Sequence, residues 1–358
     1  MRLFTVGPTQ MRKEILEVGG LMIPYFRTEE FSETMLDSDR LLRKFMNAGE
    51  GAESIYLTAS GTGAMESVVM NCLTPEDKAL VIEGGTFGHR FAEICRIHHV
   101  PYVSVVLSDD ETLTEAHLRP FDGEGITALL VNIDETSTGQ LYDVKLLSEF
   151  CKRNQCYFIV DAISSFLIDA YDMEGNGIDA TIVSSQKGMC IAPGLSVVVL
   201  SPRMLEERIY GRRIDSLYFN YNDYLKNFER GQTPFTPCVG ILLEMNRALH
   251  MVEETGLPRF LAGIDAVAKD FRKRSVELPI SLPLFPLSNA VTPLIFREPI
   301  AKKVFEVLKR DYDIFVNPTG GKREETVLRV AHIGDVTSDD NAMMIAAMKE
   351  SIAKVSGK

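Results

Sequence analysis

Ile182-Val183-Ser184-Ser185-Gln186-Lys187-Gly188 is the stretch that decides the fold. Its two β-branched residues close an apolar run of the kind that makes a buried strand. Small polar residues and one lysine follow, then a glycine- and proline-containing run to Gly194. A strand that ends this way sets an amine at the rim of a sheet. In open α/β sheets the carboxyl ends of strands are where ligands bind. A second strand pattern, Tyr157-Phe158-Ile159-Val160, ends in a carboxylate, Asp161.

Outward from these two strands the chain alternates. Ser54 to Leu57, Ala79 to Ile82, Tyr102 to Leu107 and Ala128 to Ile133 read as strands, and Leu195 to Leu200 adds another after the lysine. Helical spacing fills the intervals at Ala64 to Leu73, Arg90 to His98 and Val144 to Asn154. Continuous apolar strands alternating with helices predict an α/β fold, with a largely parallel sheet covered on both faces. Ahead of it, Met11 to Gly20 and Glu33 to Met46 have amphipathic helical spacing. The first residues, with turn chemistry at Gly7-Pro8-Thr9, form an extended arm. From Cys238 the alternation lapses. Helices at Val239 to Glu254 and Phe260 to Val276 lead through a proline-rich stretch into strands at Val291 to Phe296, Ile314 to Val316 and Thr326 to His332. With helices at Ala301 to Arg310 and Ser338 to Val355, these predict a smaller α+β unit. The expected organisation is an N-terminal arm over 1–14, a large domain over 15–254 and a small domain over 255–358.

At 358 residues the chain is too long for one ordinary core. Its composition, 45% hydrophobic and 25% charged, is that of a globular protein in water, and a net charge of −12 argues against a nucleic-acid partner. The six cysteines (Cys72, Cys95, Cys151, Cys156, Cys190, Cys238) make no Cys-x-x-Cys pair and lie in apolar segments. That usage suits reduced thiols in a cytoplasmic enzyme. No apolar leader follows Met1-Arg2-Leu3-Phe4, and no apolar run has the length of a membrane span. The histidines show no paired ligand spacing, and neighbours such as His98-His99 face apart on a regular element, so no metal site is expected.

Ser60-Gly61-Thr62-Gly63 opens a helical pattern directly after a strand. Backbone N–H groups at a helix N-terminus cradle phosphate, and glycines permit close approach. The same residues would also serve as a plain strand-to-helix turn. No Gly-Lys-Ser/Thr follows as in a nucleoside-triphosphate loop, and Glu66 stands where a dinucleotide fingerprint has its third glycine. Asp161 alone also reads as a helix N-cap, and a lone lysine as surface charge. Together the loop, the strand-end carboxylate and the strand-end lysine match the needs of one cofactor, pyridoxal 5′-phosphate. These are an anion cradle, a partner for the pyridinium nitrogen and an amine that bonds the aldehyde.

Seven motifs then fall in order: Val6-Gly7-Pro8, Ser60-Gly61-Thr62-Gly63, Gly85-Thr86-Phe87-Gly88-His89-Arg90, Glu135-Thr136-Ser137-Thr138-Gly139, Val160-Asp161-Ala162, Ser185-Gln186-Lys187-Gly188 and Leu328-Arg329-Val330. On these the chain resembles, over nearly its whole length, the class V, fold-type I pyridoxal-phosphate aminotransferases, the alanine–glyoxylate, serine–pyruvate and 2-aminoethylphosphonate transaminase group. The resemblance implies a PLP-dependent transferase fold of type I, with a mostly parallel seven-stranded sheet in the large domain and a small C-terminal α+β domain. It implies that Lys187 bonds the cofactor and then shuttles the substrate proton, and that Asp161 keeps the pyridine nitrogen protonated. Phe87 takes the ring-stacking position, and Thr136 the place near the ring hydroxyl. Ser60, Gly61, Thr62 and Gln186 hold the phosphate. Thr236, in Thr233-Pro234-Phe235-Thr236-Pro237 of a second subunit, completes that site, which requires a homodimer with shared active sites. Arg329, with Gly7, takes the substrate carboxylate in the bidentate geometry that suits guanidinium. Each residue also has a plainer reading: Phe87 as core, Arg329 as an ion-paired strand residue, Thr136 as a strand terminator.

The implied activity is transfer of an amino group from a small donor (alanine, serine, aspartate or 2-aminoethylphosphonate type) to a 2-oxo acid by a ping-pong mechanism. The alternative is a lyase of the cysteine desulfurase type. Those relatives carry histidine at the ring-stacking position and before the lysine, where this chain has Phe87 and Gln186, and they need a cysteine on a flexible loop. A catalytically silent binding protein on the same scaffold fits less well, because the catalytic positions are filled. Substrate choice stays open. Arg27, in Pro24-Tyr25-Phe26-Arg27-Thr28-Glu29-Glu30, either meets a distal carboxylate or phosphonate, or pairs with Glu29 or Glu30 at the surface.

Overall fold

The computed structural model describes residues 1–108 and 110–357. Its strands, in chain order, are β1 (Arg2–Phe4), β2 (Glu53–Leu57), β3 (Ala79–Glu83), β4 (Tyr102–Val106), β5 (Ala128–Asn132), β6 (Asp134–Glu135) and β7 (Gln140–Leu141). Then come β8 (Tyr157–Asp161), β9 (Ala180–Ser184), β10 (Ser196–Leu200), β11 (Ile280–Ser281), β12 (Val291–Phe296), β13 (Ile314–Pro318) and β14 (Val327–Ala331).

Seven strands form one sheet in the order β2-β10-β9-β8-β5-β3-β4. The pairs from β9 across to β4 are parallel, while β10 runs antiparallel to both β9 and β2. The central strands are largely apolar because both faces are covered. Leu129, Val131, Phe158 and Val160 enter one core, and the alternate residues Ala128, Leu130, Tyr157 and Ile159 enter the other. Register then fixes the rim. Asn132 pairs with Asp161, and Asp161 with Ile182, so the carboxyl ends of β5, β8 and β9 lie side by side. The segments that follow them carry Thr136, Asp161 and Lys187 to one place.

A second sheet has the order β1-β13-β14-β12-β11 and its own apolar core, with Phe4, Leu294, Phe296, Val316, Leu328 and Val330 among its members. The N-terminal arm is part of it, since Arg2–Phe4 runs parallel to Ile314–Val316. Among the described residues no helix is long and apolar enough to cross a membrane.

Four helices begin earlier than their spacing predicts, at Glu29, Gly61, Thr86 and Leu257, and two of these starts lie at the rim. The expected loop at Ser60 to Gly63 is already the first turn of helix Gly61–Cys72, with Ser60 as N-cap, its Oγ accepting the Gly63 N–H. The stretch ahead of the expected Arg90 helix, with Phe87 in it, is the first turn of helix Thr86–Ile97. Its cap comes from elsewhere: the carboxylate of Glu135 accepts the N–H of Phe87 at 3.4 Å and of Gly88 at 3.0 Å. A cap supplied from another strand end leaves no trace in local sequence.

Candidate active site

The rim encloses a cavity of about 130 Å³ lined by Ser60, Gly61, Thr62, Phe87, Thr136, Asp161, Gln186 and Lys187, together with Met65, Arg90, Asp134, Ile163 and Ser164. A larger cavity, about 630 Å³, lies at the other end of the same strands, among Cys156, Asp179 and Ser201, away from the lysine.

Lys187 sits just past β9. Its Nζ donates to Thr136 Oγ1 at 3.3 Å and lies 4.8 Å from the centre of the Phe87 ring. Thr136 Oγ1 is in turn 2.6 Å from Ser164 Oγ, which holds it in place. Burial lowers the lysine's pKa, against the pull of Asp161 and Asp134, which favour its charged form. Asp161 ends β8 and turns its Oδ1 to accept the Ile163 N–H at 2.8 Å. Burial pushes its pKa up to about 6. The cap-like reading of Asp161 is therefore partly right, yet the carboxylate also lines the cavity.

The phosphate-loop residues line the opposite wall. At Gly61 a Cβ would meet the Ile163 Cδ1 methyl at 2.5 Å, so any side chain there would have to displace Ile163. Gln186 is oriented by Ser184, whose Oγ donates to the Gln186 Oε1 at 2.8 Å, so the amide NH₂ is left for the cavity. Gly7 lies over the Gln186–Lys187 backbone, where a Cβ would sit 3.3 Å from Lys187 Cγ. Arg329 arrives from β14 of the second sheet. Its Nη1 donates to Thr136 O at 2.8 Å and its Nη2 to Pro318 O at 2.9 Å, while its buried Nε has no protein partner. Two carbonyls thus aim the guanidinium and leave donors over.

Thr236 is exposed and lies outside this cavity's lining. Its segment is tied down at both ends, by Cys238 N–H to Thr58 Oγ1 at 3.0 Å and by Arg27 to Thr233 O at 2.9 Å. Arg27 does not make the expected pair with Glu29 or Glu30, and it lies outside the lining of the lysine cavity. It pairs with no carboxylate among the described residues. Its Nη1 also donates to Gln232 Oε1 at 3.0 Å, and its guanidinium packs on Phe26.

Three further residues, with no role legible from local sequence, join the site. Glu135, fully buried, accepts from Phe87, Gly88, the Ser137 N–H and Asn132 Nδ2, and so locks the ring-bearing turn to the Thr136 turn. Arg90 donates from Nη1 to Thr62 Oγ1 at 3.0 Å and lies 4.9 Å from the Phe87 ring centre. Asp134 is buried with neither carboxyl oxygen hydrogen-bonded, and burial, then Asp169, raises its pKa. Both Glu135 and Arg90 lie within quoted motifs, but their partners are 48 and 28 residues away in the chain. None of the six cysteines lines the lysine cavity.

The donor set fits pyridoxal phosphate. A neutralisable amine, an aromatic face beside it, a buried carboxylate with one backbone partner and a close-approach helix N-terminus converge on one cavity.

Comparison with known proteins agrees with this chemistry. The family model described as Aminotransferase class-V matches residues 25–279. The chain is 27% identical over 358 residues to the soluble hydrogenase 42 kDa subunit of Anabaena cylindrica, covering 98% of this chain and 92% of that one. It is 24% identical to the L-aspartate–glyoxylate aminotransferase of Paracoccus denitrificans, over 94% of this chain and 87% of the other. Among solved structures, the subgroup IV aspartate aminotransferase of Thermus thermophilus superposes with a TM-score of 0.91 at 26% identity, covering 99% of this chain and 100% of that one.

Proposed function

The chain belongs to the class-V aminotransferases, a pyridoxal-phosphate-dependent family, and from that premise we propose the roles its residues play and the class of its substrates. It moves an amino group from a small donor, of the alanine, serine, aspartate or 2-aminoethylphosphonate type, to a 2-oxo acid in two half-reactions. The observation that carries this reading is the Lys187 amine, held by Thr136 beside Phe87 in a cavity that Asp161 also lines.

Pyridoxal phosphate, when bound, supplies an aldehyde that amines bond and a ring that accepts the electron pair of a broken Cα–H bond. Everything else falls to the protein. Lys187 is the amine that would hold the aldehyde, and its lowered pKa favours the neutral, nucleophilic form. Once free, the same Nζ is the base that takes the substrate's Cα proton and the acid that returns it. Asp161 would hold the proton of the pyridine nitrogen, and a cation beside it offsets the cost of its buried charge. Phe87 provides the stacking face. Ser60, Gly61, Thr62 and Gln186 would hold the phosphate, joined by Thr236 from a second copy of the chain in a homodimer. Arg329, with Gly7 beside Lys187, would take the donor's carboxylate, or its phosphonate where no carboxylate is present. A cytoplasmic setting belongs to the same reading, with all six cysteines free.

The test is a spectroscopic half-reaction screen of the purified holoenzyme. The correct donor should bleach the aldehyde-form absorption band, and the correct oxo acid should restore it. Release of sulfide from cysteine, with the band unchanged, would point to the lyase instead.

A further inference from the structure

We infer that Arg90 supplies the positive charge of the phosphate cradle, an assignment that rests on the reading of the lysine cavity given above. The groups expected there, Ser60, Gly61, Thr62, Gln186 and a second copy's Thr236, are all uncharged. A phosphate monoester carries roughly −1.5 to −2 charges near neutral pH. The N-terminus of helix Gly61–Cys72 offers only about half a charge against it. A cradle with no cation would leave most of that charge uncompensated in a partly desolvated site.

Arg90 is placed to close the gap. Its guanidinium lines the same cavity, and Nη1 lies 3.0 Å from Thr62 Oγ1, the hydroxyl of the cradle. An oxygen bound by that hydroxyl is within reach of the rest of the fork. The guanidinium is braced by the Phe87 ring, 4.9 Å from its centre, and so is held over the site.

Arg90 has fewer protein partners than the arginines that brace the fold. Arg208 has both oxygens of Asp77, at 2.8 and 3.1 Å, and Arg43 has Asp39 at 2.8 Å. Arg90 has no carboxylate partner among the described residues, and its single hydrogen bond is to Thr62. Glu83, at the end of β3, is taken by His89 at 2.8 Å. A half-buried guanidinium with most of its five donors unused is equipped for an anion that the chain itself does not supply.

The experiment titrates the full-length chain, stripped of cofactor, with pyridoxal 5′-phosphate and with pyridoxal, which lacks the phosphate. The variants are R90M, which removes the charge and keeps bulk against Phe87, and R90K, which restores a charge. R90M should bind pyridoxal phosphate at least about tenfold more weakly, with pyridoxal affinity within about twofold of wild type. R90K should recover most of the loss, and inorganic phosphate should compete less well against R90M than against wild type. Equal weakening toward both aldehydes would mean a structural role and overturn the assignment, as would unchanged affinity for pyridoxal phosphate. So would a KM raised only for aspartate, which would put the guanidinium on a donor's distal carboxylate. The underlying reading fails separately: a wild type that cannot tell the two aldehydes apart has no phosphate cradle, whatever R90M does.

Discussion

Asp161→Asn should gain stability over the wild-type protein, both free of cofactor, as pH rises. Asp161 is buried, its Oδ1 accepts one backbone N–H, and its pKa is pushed up from 3.8 to about 6. Between those values the folded protein holds a proton that the unfolded chain has released. Stability therefore falls as pH climbs through the window and levels off above it. At about 1.4 kcal/mol per pKa unit, ionising this carboxyl costs the native state about 3 kcal/mol at pH 8 and about half of that at pH 5. Asparagine keeps the acceptor for Ile163 and removes the charge. Its own unpartnered NH₂ costs roughly 1–3 kcal/mol, but equally at every pH. The difference between variant and wild type should thus shift in the variant's favour by roughly 1.4 kcal/mol from pH 5 to pH 8. Lys187 and Arg90, which favour the ionised form, and Glu135, which opposes it, face the carboxyl in the wild type and an uncharged amide in the variant. The measurement is a urea midpoint series across pH by circular dichroism and tyrosine fluorescence, since the chain has 11 tyrosines and no tryptophan. A difference that stays constant, or that shrinks as pH rises, would refute burial as the cause. The same variant should bind pyridoxal phosphate more weakly, because the charge that costs stability in the free protein is the one a bound pyridinium needs.

Lys187→Ala should keep the wild-type circular dichroism spectrum and lose turnover, and borohydride should no longer fix the cofactor to the chain; normal turnover would sink the whole functional reading. Glu135→Ala, which strips acceptors from five donors around two turns, the Ser137 hydroxyl among them, should cost about 3 kcal/mol in urea unfolding; a loss near zero would mean those donors find other partners. Arg329→Gln should raise KM for a carboxylate-bearing donor by about 10- to 100-fold with a smaller change in kcat, checked by steady-state kinetics. Arg27→Ala should leave the preference between dicarboxylic and small neutral donors unchanged while loosening the Thr233 segment, so cofactor affinity should drop and selectivity should not; a changed selectivity would return Arg27 to the substrate.

The large sheet was legible because its signal is local. Continuous apolar runs such as Ala128 to Asn132 admit one reading when both faces are covered, and the polar residues that follow them mark the rim. Lys187, Asp161 and the Ser60 loop were findable for the same reason: each interrupts such a run at its carboxyl end or follows directly from it. The short β1 was not legible. Three residues carry no period of their own, and Arg2–Phe4 becomes a strand only because β13 offers it an edge.

The residues that sequence left without a role share one property, which is that their partners are remote. Phe87 lies outside the helix that spacing alone predicts, Arg90 to His98, because the glycines at 85 and 88 break any helical pattern. The helix nevertheless begins at Thr86, because a carboxylate from the β6 turn satisfies its first N–H groups. The two glycines are then required by that approach. A Cβ at Gly85 would collide with Ser137 Oγ and with the Glu135 carboxylate carbon at 2.5 Å, and one at Gly88 would press into the Ile82 carbonyl. What looked like a glycine-broken loop is a helix start packed too tightly for side chains. Glu135 therefore couples two parts of the site: one carboxylate fixes the turn that presents Phe87 and, through its own backbone, the turn that presents Thr136 to Lys187. A ring positioned against Phe87 is in this way positioned against the lysine as well.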